Sequence, residues 1–277
     1  MNRSIIKTIA QHECKIAVRN KWLLSFTVLF SCLAVTVILF DVFSYAESGF
    51  QGFNRTTASL LNLSLYIMPI IALIFGTSMV TGDIEDGGFN LLTTYPLTRS
   101  QIILGKYIGI ASSLFAVVAL SYGLVGLLLL FFGSSGDFGT YIIFIISSLL
   151  LLFNYLAIAM WIGIRAETRM QAFGLSILVW CFSILMYEFV VIGLVMVMPN
   201  QWIIPFLSFS TMINPAEVVR IWTVLALGGE SIFGPSYYFL SELKRMGISH
   251  YPLLLASILW VMIPVWLSIA ALKRRLS

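Results

Sequence analysis

Histidine, cysteine and charge are all scarce in this sequence, and each scarcity removes a class of function. The two histidines, His12 and His250, stand at opposite ends. They can supply neither the paired intramembrane ligands of a haem protein nor an H-E-x-x-H zinc helix. The three cysteines, Cys14, Cys32 and Cys181, form no C-x-x-C pair, so no disulfide or zinc framework follows. Only 10% of residues are charged, where a soluble domain carries about a quarter. A phosphate-binding loop is also missing, because around Gly105 and Lys106 the upstream glycine position holds Ser100 and the hydroxyl position holds Tyr107. The sequence therefore predicts a chain without catalysis, cofactor or metal of its own.

What is present is apolar. Hydrophobic residues make up 60% of the chain, and the mean hydropathy is +0.98. Runs long enough to cross about 30 Å of hydrocarbon, which takes about 20 helical residues, recur at 22–40, 60–81, 102–132, 140–163, 172–197 and 251–272. None alternates like a barrel wall, so the expectation is an all-α integral membrane protein with six spans in one transmembrane domain, 1–277. Residues 1–21 carry Ile5, Ile6, Ile9, Glu13, Ile16 and Ala17 at helical spacing among Arg3, Lys7, Lys15, Arg19 and Lys21. That pattern predicts an amphipathic helix on the membrane surface, its cations meeting anionic lipid headgroups. The run from Trp22 to Phe40 exceeds the about 7–15 residues of a signal h-region, so it is taken as the first span rather than a cleaved leader.

The sixteen basic residues are scattered between apolar runs instead of massed on one face, which argues against nucleic acid. They report topology. The N-terminal helix, Arg99, Lys106, Arg165, Arg169, Lys273, Arg274 and Arg275 fall on one side, and Arg55, Arg220, Lys244 and Arg245 fall on the other. The positive-inside rule then places both termini and the 82–101 loop in the cytoplasm of an inner membrane.

That loop is the most polar interruption in the first two-thirds of the chain. Asp83, Glu85 and Asp86 precede a short segment of Phe89, Leu91 and Leu92, which predicts a brief helix with acids at its N-terminus, stopped by Pro96; Tyr95 and Arg99 flank that stop and are counted with the same candidate docking residues. Ser100 and Gln101 are the residues expected to open that span's helix. The loop reads either as a docking helix for a partner or as an ordinary solvated turn.

The region 198–250 is broken by Pro199, Pro205 and Pro215 into pieces too short to span. Asn214, Pro215 and Glu217 stand at the N-cap, N1 and N3 positions of a helix running on through Arg220 to Leu227, with Glu217 placed to close a capping box. This piece is either part of an external gate or a segment resting on the interface. Ser231–Ser249, with Tyr237, Tyr238, Glu242, Lys244 and Arg245, offers a surface to an extracytoplasmic partner. Within the spans Glu188 is the costly charge, and it reads either as a functional intramembrane group or as a hydrogen-bonded interface residue. Asn62 and Asn154 are better suited to interhelical hydrogen bonds. Met196, Met198, Met212, Met246 and His250 are soft donors for Cu(I) or ordinary packing residues.

Glu85, Gly87, Gly88, Leu91, Leu92, Pro96, Arg99, Ile103, Gly105 and Lys106 resemble the E-x-x-G-x-x-x-L-L-x-x-P-x-x-R-x-x-x-L-G-K loop of ABC-2 type transporter permeases. Within that family, the run from Thr94 to Lys106, Arg19–Leu24 and Asn214-Pro215-Ala216 are similar to the NosY-type group serving nitrous oxide reductase maturation. The resemblance implies a homodimer whose two copies each dock a separate cytoplasmic ATPase, the partner that binds ATP and Mg, through a coupling helix around Asp83–Arg99. It also implies a periplasmic accessory protein on the outward face and a role in copper or sulfur-species delivery. Two other classes fit the same residues: a generic exporter of a drug, lipid or peptide, and a proton-coupled carrier built on Glu188, which would need an inverted repeat that the sequence does not display. A membrane anchor that couples ATP hydrolysis to an external chaperone without transport is a further reading.

Overall fold

The computed structural model describes residues 3–21, 24–29, 31–32, 35–36, 52–89, 95–132, 138–227 and 250–275. Among them every regular element is a helix, in line with the expected all-α membrane fold. In chain order these are α1 (Arg3–Val18), α2 (Gly52–Glu85), α3 (Arg99–Phe132), α4 (Phe138–Arg165) and α5 (Arg169–Trp180). A π-helical segment (Cys181–Met186) continues into α6 (Tyr187–Val197), followed by α7 (Asn200–Ile213), α8 (Pro215–Ala226) and α9 (His250–Arg275). Five stretches are long and apolar enough to span: Leu61–Glu85, Arg99–Leu124, Tyr141–Arg165, Arg169–Val197 and Tyr251–Arg275. The pair α7 and α8, bent by 112°, adds a broken span or re-entrant element. Of the predicted first span, residues 24–29, 31–32 and 35–36 are helical, and the rest lies outside the described residues.

The helices run further than the apolar stretches alone, because their last turns carry polar residues that cap or pair. Thr98 precedes α3 and its backbone N–H donates to Gln101 Oε1 at 2.9 Å, so the helix opens one residue before the expected Ser100. Thr168 caps α5, its hydroxyl accepting from Gln171 N at 3.2 Å.

α4 is the hub, packed against α2, α3, α5, α8 and α9. Lipid gives helices no hydrophobic reason to associate, so close approach and hydrogen bonds must hold them. Both are present. A Cβ on Gly76 would lie 2.7 Å from Leu156 Cδ1, and one on Gly163 would lie 2.8 Å from Val80 Cβ, so α2 and α4 touch where only hydrogen fits. Thr81 Oγ1 donates to the Gly163 carbonyl at 3.0 Å along the same seam. Asn154 Nδ2 donates to Ser257 Oγ at 2.9 Å, joining α4 to α9 in the interhelical role expected of that amide. Tyr122 and Ser148 share a buried 2.8 Å hydrogen bond between α3 and α4.

Three features depart from expectation. Pro205 lies inside α7 and does not divide the 198–213 segment. Its missing N–H falls in the second turn, and the cut comes at Asn214–Pro215 instead. Asp83 and Glu85 occupy the last turn of α2 rather than the start of a new helix. The terminator is Gly87, whose φ of +76° is the left-handed position that closes helices, with Gly87 N bonded to Ile84 O at 3.2 Å. Finally, α6 has no buried residue, leaving Phe189, Val190, Ile192 and Leu194 on an uncovered apolar face.

Candidate functional site

Two groups of charged side chains stand at opposite ends of the α5–π–α6 rod. The first gathers the polar turns of one end. Lys106 sits two turns into α3 and is 1% exposed, with its Nζ 2.6 Å from Glu13 Oε1 of α1 and also paired to Asp83 of α2. Gly105 and Gly109 make this geometry accessible. A Cβ there would lie 2.7 Å from Ile9 Cγ2 and 2.5 Å from Glu13 Cβ, so α1 lies flat on α3 within reach of the lysine. Arg169, at the start of α5, completes the cluster: its Nε is 2.9 Å from Glu85 Oε2 and its Nη2 pairs with Asp86. Acids at a helix C-terminus oppose the macrodipole, and these two cations offset that penalty. Arg275 Nη1 donates to the carbonyls of Ile164 at 2.6 Å and Ala166 at 2.9 Å, bringing the end of α9 to the same place.

Of the residues expected to form a docking face, Glu85, Asp86, Tyr95 and Arg99 are exposed here. Phe89 is not: it is 4% exposed, with Lys106 Nζ 5.3 Å from its ring centroid. A cation–π contact with a buried ammonium draws the ring inward, so the expected apolar face loses Phe89. Leu91 and Leu92 lie outside the described residues, as do Asn90, Thr93 and Thr94.

The second group lies at the other end. Asn214 caps α8, its side-chain oxygen accepting from Ala216 N at 3.0 Å, with Pro215 at the first helical position as the sequence predicts. Glu217 does not reach back to close a capping box. It turns to Arg220, Oε2 to Nη2 at 3.1 Å, and Arg220 Nη1 also pairs with Glu188 of α6. The sequence held Glu188 apart from the Asn214–Arg220 group; the fold joins them into one acid–base–acid triad. At about 1.5 Å per residue, Glu188 stands about 28 Å along the rod from Arg169, with the apolar run Phe189–Val197 still to follow. Its side chain is 44% exposed.

The π-helical segment just before Glu188 has no counterpart in the sequence reading. It re-aims the rod so that Ser183 O accepts from Asn214 Nδ2 at 2.6 Å and Ser183 Oγ accepts from Tyr155 at 3.0 Å. Tyr187 then donates to Ser210 O at 2.5 Å. Between α6, α7 and α8 lies a cavity of about 270 Å³ lined by the charged residues Glu188, Glu217 and Arg220 and by the apolar Ile192, Leu207 and Ile221 among others. A smaller void of about 30 Å³ opens on the opposite side of the triad, against Asn62, Tyr66 and Ser183. Among the described residues no group of three His, Cys, Asp or Glu assembles to hold a metal ion. The side chain of His250 and the segment Ser231–Ser249 lie outside what is described.

Two curated relatives match most of the chain. The probable ABC transporter permease protein NosY of Stutzerimonas stutzeri is 29% identical over 273 residues, covering 97% of this chain and 98% of its own. The protein of the same description from Pseudomonas aeruginosa is 30% identical over 224 residues, covering 78% and 80%. The family model described as ABC-2 family transporter protein matches residues 7–275. With a helical membrane bundle spanning that match, the chain belongs to the ABC-2 transporter family.

Proposed function

We propose that this chain is the membrane half of an ATP-driven machine whose hydrolase is a separate polypeptide. Two copies form the membrane core. Each receives force at the 82–101 turn from a cytoplasmic ATPase that binds ATP and Mg, with both termini on that cytoplasmic side of the inner membrane. The outward region 198–250 forms the gate and seats an extracytoplasmic accessory protein. The two relatives described as NosY, together with the Thr94–Lys106 run, favour service in nitrous oxide reductase maturation, with copper or a sulfur species as cargo.

The observation that carries this reading is the ionic stitching of the turn. Lys106 ties Asp83 to α1, and Arg169 ties Glu85 and Asp86 to α5. A push on the turn therefore moves α1, α2, α3 and α5 as one body, which is what a mechanical input needs. The test is affinity purification from gentle detergent, with co-purifying proteins identified. Wild type is expected to bring down an ABC ATPase, and Leu92→Asp is expected to insert normally but lose it. Unchanged recovery of the ATPase with Leu92→Asp refutes the docking role. Labelling of Asn90→Cys solely from the side opposite Lys273–Arg275 refutes the topology.

A further inference from the structure

Glu188 sets an electrostatic problem that the chain solves only in part. Its side chain is 44% exposed, yet its surroundings on α6 are apolar and uncovered: Phe189 is 70% exposed and Ile192 53%. A carboxylate on such a face of a membrane-spanning helix is costly without a counter-charge. The cation it meets, Arg220, is shared with Glu217, so the triad carries two carboxylates to one guanidinium. The adjoining cavity of about 270 Å³ is lined by both kinds of group: the acids Glu188 and Glu217 beside Arg220, and the apolar side chains of Val191, Ile192, Leu207 and Ile221.

We propose that this cavity binds a primary ammonium group borne on an apolar body, the ammonium donating to Glu188 beside Arg220 and the apolar part lying along Ile192, Leu207 and Ile221. An ammonium gives Glu188 a counter-charge that it need not share with Glu217, an anion would meet two acidic side chains, and among the described lining residues a soft metal ion meets no Cys, Met or His. The volume accommodates a short amine or the headgroup and first methylenes of a lipid. Two sources carry this chemistry: an aminophospholipid of the surrounding leaflet and a free amphiphilic amine. The proposal rests on the cavity and on Glu188, and stands apart from whether an ATPase docks at the other end.

The full chain is reconstituted into nanodiscs of phosphatidylethanolamine or phosphatidylcholine with the same acyl chains and the same anionic fraction. It is also held in lipid-free micelles with and without dodecylamine, with dodecyltrimethylammonium as control. Binding is expected to raise the melting midpoint by about 2–4 °C. A rise in phosphatidylethanolamine alone assigns the lipid source; a rise with dodecylamine, but not with its trimethyl analogue, assigns the free amine. Either rise must vanish in Glu188→Gln. Should that variant fail to fold, Ile192→Trp, which fills the apolar wall and keeps the carboxylate, must abolish it instead. No difference between primary and trimethylated ammonium, or a difference that persists in the variant, overturns the proposal.

Discussion

Replacing Lys106 by methionine keeps the length of the stem and deletes the ammonium, leaving Glu13 without its counter-charge in a site where its own side chain is 5% exposed. Breaking a buried pair from one side costs about 3–5 kcal/mol, because the remaining charge stays desolvated. Asp83, 33% exposed, turns to water and adds little, so the lower part of that range, about 3 kcal/mol, is expected. Removing both partners in Lys106→Met/Glu13→Gln eliminates the stranded charge and should recover about 2 kcal/mol of the loss; that recovery plus the cost of Glu13→Gln alone is the coupling energy of the cycle. Arg169→Gln is the control: its side chain is 53% exposed and its pairs with Glu85 and Asp86 face solvent, so about 1 kcal/mol or less is expected. The assay is reversible unfolding in mixed micelles, supported by fluorescence melting in gentle detergent, where 3 kcal/mol corresponds to about 6–12 °C. A Lys106→Met protein as stable as Arg169→Gln, or a double variant as damaged as the single one, would refute the assignment of Lys106 as the buried tie between α1, α2 and α3.

Gly109→Leu should lift α1 from α3, since its Cβ would meet Ala10 O at 2.7 Å and backbone cannot retreat; the expected loss is about 1–3 kcal/mol with faster proteolysis of α1, while Gly123→Leu, whose Cβ meets nothing within 4 Å, should be near neutral. Asn154→Ala should cost about 1–2 kcal/mol by stranding Ser257, and adding Ser257→Ala should cost little more, measured by the same unfolding cycle.

The spans were legible because their signal is compositional: each needs only enough apolar residues in a row, and α2, α3, α4 and α9 contain the expected runs. The start of α8 was legible because Asn214-Pro215 is a local cap whose chemistry needs no distant partner. What escaped the sequence depends on distant partners. Lys106 and Glu13 are 93 residues apart, and nothing in either neighbourhood marks them as a pair. The spacing of Gly105 and Gly109 was the available signal, since small residues four apart on a membrane helix announce a close neighbour. Glu85 and Asp86 were read toward the following segment because acids favour helix starts; Gly87-Gly88 was the competing signal for a helix end, and it prevailed. The π-helical segment has no pattern of its own in Cys181–Met186. It follows from how Ser183 meets Tyr155 and Asn214.

The joint between the two charged clusters decides where motion along the α5–π–α6 rod can occur. At its near end the rod is clamped to α2: Thr77 and Ser176 share a 2.9 Å buried hydrogen bond, and Trp180 Nε1 donates to Tyr66 O at 2.9 Å. Beyond residue 180 that clamping stops, and α6 has no buried residue. A rigid shift of the whole rod would break the α2 contacts, whereas a one-residue migration of the π register breaks none of them and turns everything after it by about 100°. Glu188 lies two residues past that segment, so such a turn would carry its carboxylate away from Arg220, while Arg220 keeps Glu217 one turn away on its own helix. The cost of opening is thus confined to one half-exposed ion pair and the hydrogen bonds of Ser183 to Asn214 and Tyr155 and of Tyr187 to Ser210. Of the two motions the π shift is therefore the less expensive, and under the proposed function it is the route by which a push at Arg169 would reach the Glu188 cavity.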